Sequence, residues 1–444
     1  MIVDFFVLGG LAVLCMGGRV NGQTRGSFDV DEPIQGLGGC TSGVDCQLNG
    51  VCDKSQCHCD QGWSGPWCEK LDLVPAKINS GFRQETVSTW GGNIIKEGDT
   101  YHGFFSEMGG HCGLTSWAKN SRVVRATSNS PGGRFERQQV ALPIWAHNPQ
   151  ITKANDTFLL FHIGSAAGVP ETSCSEGTGT SPCKLFGKGF GFGCTWPLAT
   201  EESTYSFSSS EPSRNTREVN FTFPISFASS IEGPWQQHNA SIDFDVGSNA
   251  NPAPIVLENG TVIMVFNANN MSLAVADSWK GPYKLRSTGA CANGEDPFLY
   301  VDKRGNFHCL SHAAPFKDAF HSIAHSFSSD GLHWTKTEKA VAGAVVEFEG
   351  NRTVVFSKRE RPKLIFDENK EITHLITGVA MTGQCTPKFL YPVQGYEHLN
   401  GYCTLHIPLQ YTLSDKNPFP GHMDRSFTLI QAVRWKKNPC SSSV

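Results

Sequence analysis

At 444 residues the chain is long enough for one large domain and a small companion. Charged residues make up 18%, the formal net charge is −4 and no basic run occurs, so neither the balance nor its distribution favours nucleic acid as a partner. Glycine (46), proline (24) and phenylalanine (29) are plentiful and no long Ala/Glu/Lys/Leu stretch appears, which points to short strands, tight turns and an all-β fold.

The chain opens with an apolar stretch, Phe5–Met16, too short for a comfortable membrane span, followed by small residues at Val20-Asn21-Gly22. It reads as a signal peptide over 1–22. An uncleaved anchor is the alternative, because Asp4 stands where a basic residue is expected. No later segment is apolar for long enough to span a bilayer. Six Asn-x-Ser/Thr sequons, at Asn155, Asn220, Asn239, Asn259, Asn270 and Asn351, also favour an extracellular glycoprotein. Of 16 cysteines, Cys15 falls in the signal, leaving an odd number for an oxidising compartment. One thiol is then free or paired between chains.

Residues 23–39 are polar, without an apolar period, and read as a flexible linker. Six cysteines then crowd into 29 residues: Cys40, Cys46, Cys52, Cys57, Cys59 and Cys68. Asn49-Gly-Val-Cys52 and Cys57-His-Cys59-Asp-Gln-Gly62-Trp-Ser-Gly65-Pro-Trp-Cys68 carry the spacing, with turn glycines between the last two cysteines. This segment, 40–68, resembles the EGF-like module. The resemblance implies first-to-third, second-to-fourth and fifth-to-sixth pairing, which stabilises a domain too small for its own core. It also implies a spacer, or a contact for an extracellular protein. The Asp29–Glu32 acids stand too far before Cys40 to predict calcium binding.

From Leu73 onward the sequence repeats. A polar residue, a proline and an apolar run recur at Ala146-His147-Asn148-Pro149, Asn249-Ala-Asn251-Pro252, Glu295-Asp296-Pro297 and Arg359-Glu360-Arg361-Pro362, with a first unit at Thr89-Trp90-Gly-Gly-Asn93. Proline suits the first position of a strand, and the residue before it is expected to be extended. A second motif interleaves and ends in an aromatic: Arg125 to Phe135, Phe227 to Trp235, Ala274 to Tyr283 and His325 to Trp334. The five openings fit four-stranded blades once an insertion at 165–217, carrying Cys174, Cys183 and Cys194, is set aside. Ser426–Val433 reads as a last strand able to close a ring, and 436–444 as a tail.

This repeat, over roughly 75–435, resembles the five-bladed β-propellers of family-43 glycoside hydrolases and their furanosidase relatives. The resemblance implies a central funnel floored by three carboxylates and hydrolysis of a glycosidic bond in an oligo- or polysaccharide, usually with inversion. The chain departs from that pattern: the neighbourhood of Asn93, then His147 and Asn148, then Asn249 and Asn251 occupy the first three openings. Acids remain only in the fourth and fifth, as Glu295, Asp296 and Glu360.

Hydrolysis needs one carboxylic acid to protonate the leaving oxygen and one carboxylate to act on the opposite side. Glu295 or Asp296 is one candidate and Glu360 the other, with Arg359 and Arg361 expected to keep Glu360 ionised unless one of them binds an acidic sugar. Trp90 and Trp145 are candidate stacking surfaces, and Asn93, His111, His147, Asn148 and Asn251 candidate substrate contacts. Against each stands a structural role: a strand cap, an arginine pair pinning two blades, a buried histidine. Spacing alone gives His308/His312 and His321/His325 as possible metal ligands only on a helix, so no metal or cofactor is expected. The alternatives to a hydrolase are a non-catalytic propeller binding glycan or protein, which the missing acids would favour, and a metal-dependent enzyme built on the histidines.

Overall fold

The computed structural model describes residues 39–84, 87–110, 112–171, 221–247, 249–291, 294–313, 322–337, 339–356, 358–380 and 426–436. The expected signal peptide, the linker up to 38, His111, Asn220, His321, Cys174, Cys183, Cys194 and the tail beyond 436 lie outside them. Cys40–Val444 fall in a single compact unit. Among the described residues no helix is long and apolar enough to cross a membrane.

The cysteine-rich segment forms two small hairpins, β1 (Gly50–Asp53) with β2 (Gln56–Cys59) and β3 (Trp63–Ser64) with β4 (Lys70–Leu71). Disulfides join Cys40 to Cys52, Cys46 to Cys57 and Cys59 to Cys68, the pairing that the EGF-like spacing implies.

Five antiparallel sheets follow, in chain order. The first holds β5 (Thr89–Glu97), β6 (Thr100–Met108), β7 (Ser121–Ser128) and β8 (Glu136–Leu142); between its middle strands lie a 3-10 turn and the one-turn helix α1 (Trp117–Asn120). The second holds β9 (His147–Ala154), β10 (Thr157–Ile163), β11 (Phe221–Ala228) and β12 (Gln236–Ile242). The third is β13 (Ala253–Val256), β14 (Val262–Phe266), β15 (Ser272–Ala276) and β16 (Lys284–Ser287). The fourth is β17 (Gly294–Val301), β18 (Phe307–Ala313), β19 (Ser322–Ser328) and β20 (Thr335–Lys336). After the hairpin β21 (Val345–Phe348) and β22 (Arg352–Val355), the fifth joins β23 (Lys358–Phe366), β24 (Ile372–Ala380) and β25 (Ser426–Ala432).

The first strands of the sheets pack in sequence, β5 on β9, β9 on β13, β13 on β17, β17 on β23 and β23 back on β5. That closed circuit makes a five-bladed β-propeller. Apolar clusters fill the seams between blades: Phe104, Leu142, Ile151 and Leu160 between the first and second, Phe223, Ile225, Met264 and Phe266 between the second and third, and Phe105, Val124, Ile376 and Ile430 between the fifth and first. Disulfide Cys291–Cys309 lies in the cluster between the third and fourth. Cys112 is also disulfide-bonded, so every described cysteine is paired.

Both ends of the propeller chain meet in the fifth blade. Leu73 and Phe82 bridge to Val433 and Thr428, which flanks β25 with the segment leading into the first blade. The approach is tight: a Cβ on Gly81 (φ +90°) would lie 2.1 Å from the Thr428 carbonyl oxygen. The recurring closing motifs supply the turns into the outer strands, and Phe135 and Tyr283 are buried in blade packing.

The small module is docked on the fourth and fifth blades, which corrects the expectation of a spacer. Cys40, Cys46, Trp63, Cys68 and Leu71 share one apolar cluster with Phe298, Tyr300, Leu310 and Leu364. Arg304 of the β17–β18 turn donates to Asp60 Oδ1 at 2.9 Å and to the Leu48 carbonyl at 2.6 Å. From the other side Lys436 Nζ donates to the carbonyls of Cys59, Asp60 and Trp63 at 2.7–3.0 Å.

Candidate active site

In every blade one left-handed residue recurs at the same place on or just before the innermost strand, Gly91 being followed by a second, Gly92 (φ 113°), and Asn251 standing just before β13. The five are Gly91 (φ 52°), Asn148 (51°), Asn251 (42°), Asp296 (62°) and Arg361 (60°). Four of them precede proline, where extended backbone was expected; the structure overturns that expectation. Register shifts flank four of these positions, between Trp90 and Asn93, His147 and Gln150, Glu295 and Phe298, and Glu360 and Lys363. A bulge inserts a residue, bends the strand and re-aims its side chain. Here bulging brings together side chains from four blades, at a conformational cost of order 1–3 kcal/mol for each non-glycine residue.

The result is a buried polar ring. Asn148 Nδ2 donates to Asn251 Oδ1 (2.7 Å), and Asn251 Nδ2 donates to Asp296 Oδ1 (3.0 Å). Arg361 NH1 serves both, at 2.7 Å from Asn251 Oδ1 and 2.5 Å from Asp296 Oδ1. In the first blade a glycine fills the equivalent place, and a Cβ on Gly91 would come within 3.0 Å of the Arg361 Cβ. Gly91 thus leaves room for the arginine. Asp296 is 0% exposed and its Oδ2 has no hydrogen-bond partner among the described residues. Burial pushes its pKa up to about 6, against the opposing pull of Arg361. Lys363, beneath the ring, donates to the Pro297 carbonyl at 3.1 Å, and burial lowers its pKa to about 7.

Beside Asp296, the fourth and fifth blades bring Glu295, His312 and Glu360 together. Glu295 and His312 are cross-strand partners on β17 and β18. His312 turns Nδ1 toward Glu295 Oε1 and Nε2 toward Glu360 Oε1, each at 3.8 Å. The Glu295 side chain is 42% exposed, Glu360 8%. His312 holds Glu295 below the usual carboxylate range. Burial alone would lower His312, but Glu295, Glu360 and Asp296 outweigh it and raise its pKa. Ligand atoms of Glu295, Asp296, His312 and Glu360 lie within 4.8 Å of one another, a spacing a cation could bridge. Positive groups already face these acids, however: Arg361 on Asp296, and Lys358 at 3.8 Å from Glu360.

The structure therefore brings together the three acids expected to carry the chemistry, and it reassigns several neighbours. Arg361 pairs with Asp296. Arg359 is 1% exposed and donates to Gly343 O and Gln431 Oε1, both at 2.8 Å, so it ties strands together and does not reach a ligand. Trp90 is 1% exposed among Met108, Leu114 and Ala380, against the back of Gly378; it is a packing residue, not a stacking surface. Asn93 accepts from the Ile94 amide and has a backbone role. Asn148 and Asn251 are buried in the ring and position it.

His147 is fully buried with Nδ1 2.7 Å from Ser121 Oγ, and burial, then Arg361, holds its pKa well below the ordinary value. It supports the site from behind. Trp145 remains half-buried, 5.6 Å from Trp117, which also lies 5.2 Å from His147. Sequence reasoning missed Trp117, Lys363 and the part played by His312. A cavity of about 250 Å³ opens elsewhere, at the module seam, lined by Asn49, Asp60, Trp63, Tyr300, Arg304 and His308. It holds none of the central acids.

No protein-family model and no curated protein matches the chain. Among solved structures, a family 117 glycoside hydrolase of the marine bacterium Zobellia galactanivorans aligns at 13% identity, 81% of this chain, 89% of that one and a TM-score of 0.44. A xylan beta-1,4-xylosidase of Bacillus halodurans aligns at 14%, 80%, 55% and 0.41. An exo-beta-1,3-galactanase of Phanerochaete chrysosporium aligns at 11%, 70%, 60% and 0.40. At these identities and TM-scores the likeness leaves the family unassigned, and the five-bladed architecture rests on the strand pairing itself.

Proposed function

We propose that the protein is a secreted glycoside hydrolase whose acid/base machinery is Glu295 and Glu360. One observation carries the reading: carboxylates from two neighbouring blades meet on either side of one imidazole, 3.8 Å from each, beside a buried third acid. Glycosidic hydrolysis needs two carboxyl groups in different protonation states. Glu295, held ionised by His312 and half-exposed, is the carboxylate that acts on the sugar side. Glu360 is its partner, and Asp296 positions the pair. The five described sequons, at Asn155, Asn239, Asn259, Asn270 and Asn351, are all exposed, as glycosylation of a secreted chain requires.

The test is a glycan-hydrolysis screen of the secreted protein beside Glu295→Gln and Glu360→Gln. Each substitution is expected to lower turnover by about 10²–10⁴-fold. Equal activity in all three proteins would sink the assignment. A second reading, a propeller that binds glycan without cleaving it, is favoured by Gly91, Asn148 and Asn251 standing where acids would complete the ring. Retention on a glycan array with no hydrolysis by the wild type would establish it.

A further inference from the structure

The seam between the small module and the fourth blade contains a hydrogen-bonded row of buried groups that crosses from one to the other. Asn49 of the module lies with Nδ2 3.5 Å from His325 Nδ1, His325 Nε2 lies 3.1 Å from His308 Nδ1, and His308 Nε2 faces Asp302 Oδ2 at 3.5 Å. The exposures of Asn49, His308 and His325 are 1%, 1% and 0%. Trp63 of the module covers His325 at 5.0 Å, and Tyr300 stacks on His308 at 4.8 Å.

Donor and acceptor roles along this row fix one another. Asn49 Nδ2 also donates to the Cys68 carbonyl at 3.1 Å, so the amide cannot turn its oxygen to the imidazole without setting two oxygens face to face. Asn49 is therefore the donor and His325 Nδ1 the acceptor. His325 must then carry its hydrogen on Nε2 and donate it to His308 Nδ1, and His308 must carry its own on Nε2, toward Asp302. Both rings are neutral, each in a single tautomer. A proton added to His325 would oppose the Asn49 amide, and one added to His308 would oppose the N–H of His325. Either addition breaks a link and leaves a buried charge, under Trp63 at His325 or against Tyr300 at His308.

We propose that this seam is a proton-operated latch, which docks the module on the propeller when the two histidines are neutral and releases it when they take up a proton. The surrounding charges are arranged around the row rather than against it. Asp60 and Asp302 share Arg304, Lys303 pairs with Glu371, and the remaining neighbours, Tyr300, Trp63 and Phe327, are uncharged aromatics. Asp302 partly favours a charged His308, yet burial wins and holds both histidines below their ordinary pKa. The sign follows: docking is complete above the free-histidine pKa of about 6.5 and is lost on acidification below it.

Hydrogen exchange of the full disulfide-bonded chain, read by mass spectrometry at neutral pH and at about pH 5, tests the latch. After correction for intrinsic exchange chemistry, Asn49–Trp63 and β18–β19 should lose protection by about tenfold or more at the lower pH, as expected where the released state binds protons that the docked state does not. β14 and β15, which carry no histidine and share no apolar cluster with the module, are the internal reference. His325→Phe and His308→Phe each remove one of the two titrating rings and should each lose less module protection on acidification than the wild type, and the double variant should show the same protection at both pH values. Unchanged protection in the wild type would overturn the proposal. So would an acid-induced loss that neither single variant diminishes.

Discussion

Arg361 NH1 and Asp296 Oδ1 lie 2.5 Å apart at the centre of the propeller, with the side chains 7% and 0% exposed. Removing one member of a buried pair strands the other charge, which typically costs 3–5 kcal/mol. Arg361→Met should therefore destabilise the protein by about that amount. Asp296→Asn should cost less, because Arg361 keeps Asn251 Oδ1 as an acceptor at 2.7 Å. Equilibrium urea unfolding of the three proteins measures both. An Arg361→Met midpoint equal to that of the wild type would show that the pair contributes nothing to the ring.

Gly91 makes the arginine possible. A Cβ there would meet Arg361 Cβ at 3.0 Å and Cγ at 3.2 Å, on a backbone with φ 52°. Gly98 has a similar φ of 59° and nothing within 4 Å, so it supplies the comparison. Alanine at either position carries the conformational penalty, of order 1 kcal/mol, but only Gly91→Ala adds the clash. Gly91→Ala should melt below Gly98→Ala, and identical melting temperatures would mean that Arg361 moves aside without cost.

The five openings were legible because a proline after a polar residue, followed by an apolar run, is a local signal. What was not legible was the backbone at that residue. Local sterics argue for an extended pre-proline residue, whereas the ring of Asn148, Asn251, Asp296 and Arg361 requires positive φ, and only contacts between blades select it. The consequence appears at His312. Counting back from the Asp302–Asn306 turn along the regular part of the hairpin, where Tyr300 faces His308, would place His312 opposite Asp296. The bulge moves the partner by one, to Glu295. Arg359 and Arg361 were misassigned for a related reason. Adjacency in sequence put them beside Glu360, but the strand and its bulge send one to Gln431 and the other to Asp296. The docking of the module had no local signal at all, because Trp63 reads equally well as part of a free module.

The Cys291–Cys309 disulfide closes a loop of sequence separation 18 between the third and fourth blades. Loop-closure arguments assign such a crosslink roughly 3 kcal/mol. Replacing both cysteines by alanine should lower stability by about that amount while leaving the module's three bridges intact. Differential scanning calorimetry of the double variant checks the value. A melting temperature unchanged from the wild type would place the crosslink's contribution near zero.

His162 makes stability depend on pH in a direction that can be worked out. It is 2% exposed, with Nε2 2.9 Å from Ser226 Oγ, and burial lowers its pKa to about 4. In the unfolded chain a histidine titrates near 6.5. Between these values the unfolded state holds a proton that the folded state does not, so acidification favours unfolding. The contribution is fully present above about pH 6.5 and is lost as the pH falls toward 4, amounting to about 3 kcal/mol from this residue. His162→Gln keeps a polar partner for Ser226 and cannot titrate. Urea unfolding across this interval should show a shallower fall in stability for the variant than for the wild type, by up to one proton in slope. The other depressed histidines, His308 and His325 among them, contribute equally to both proteins and cancel in the difference. Parallel curves would mean that His162 binds its proton as readily folded as unfolded.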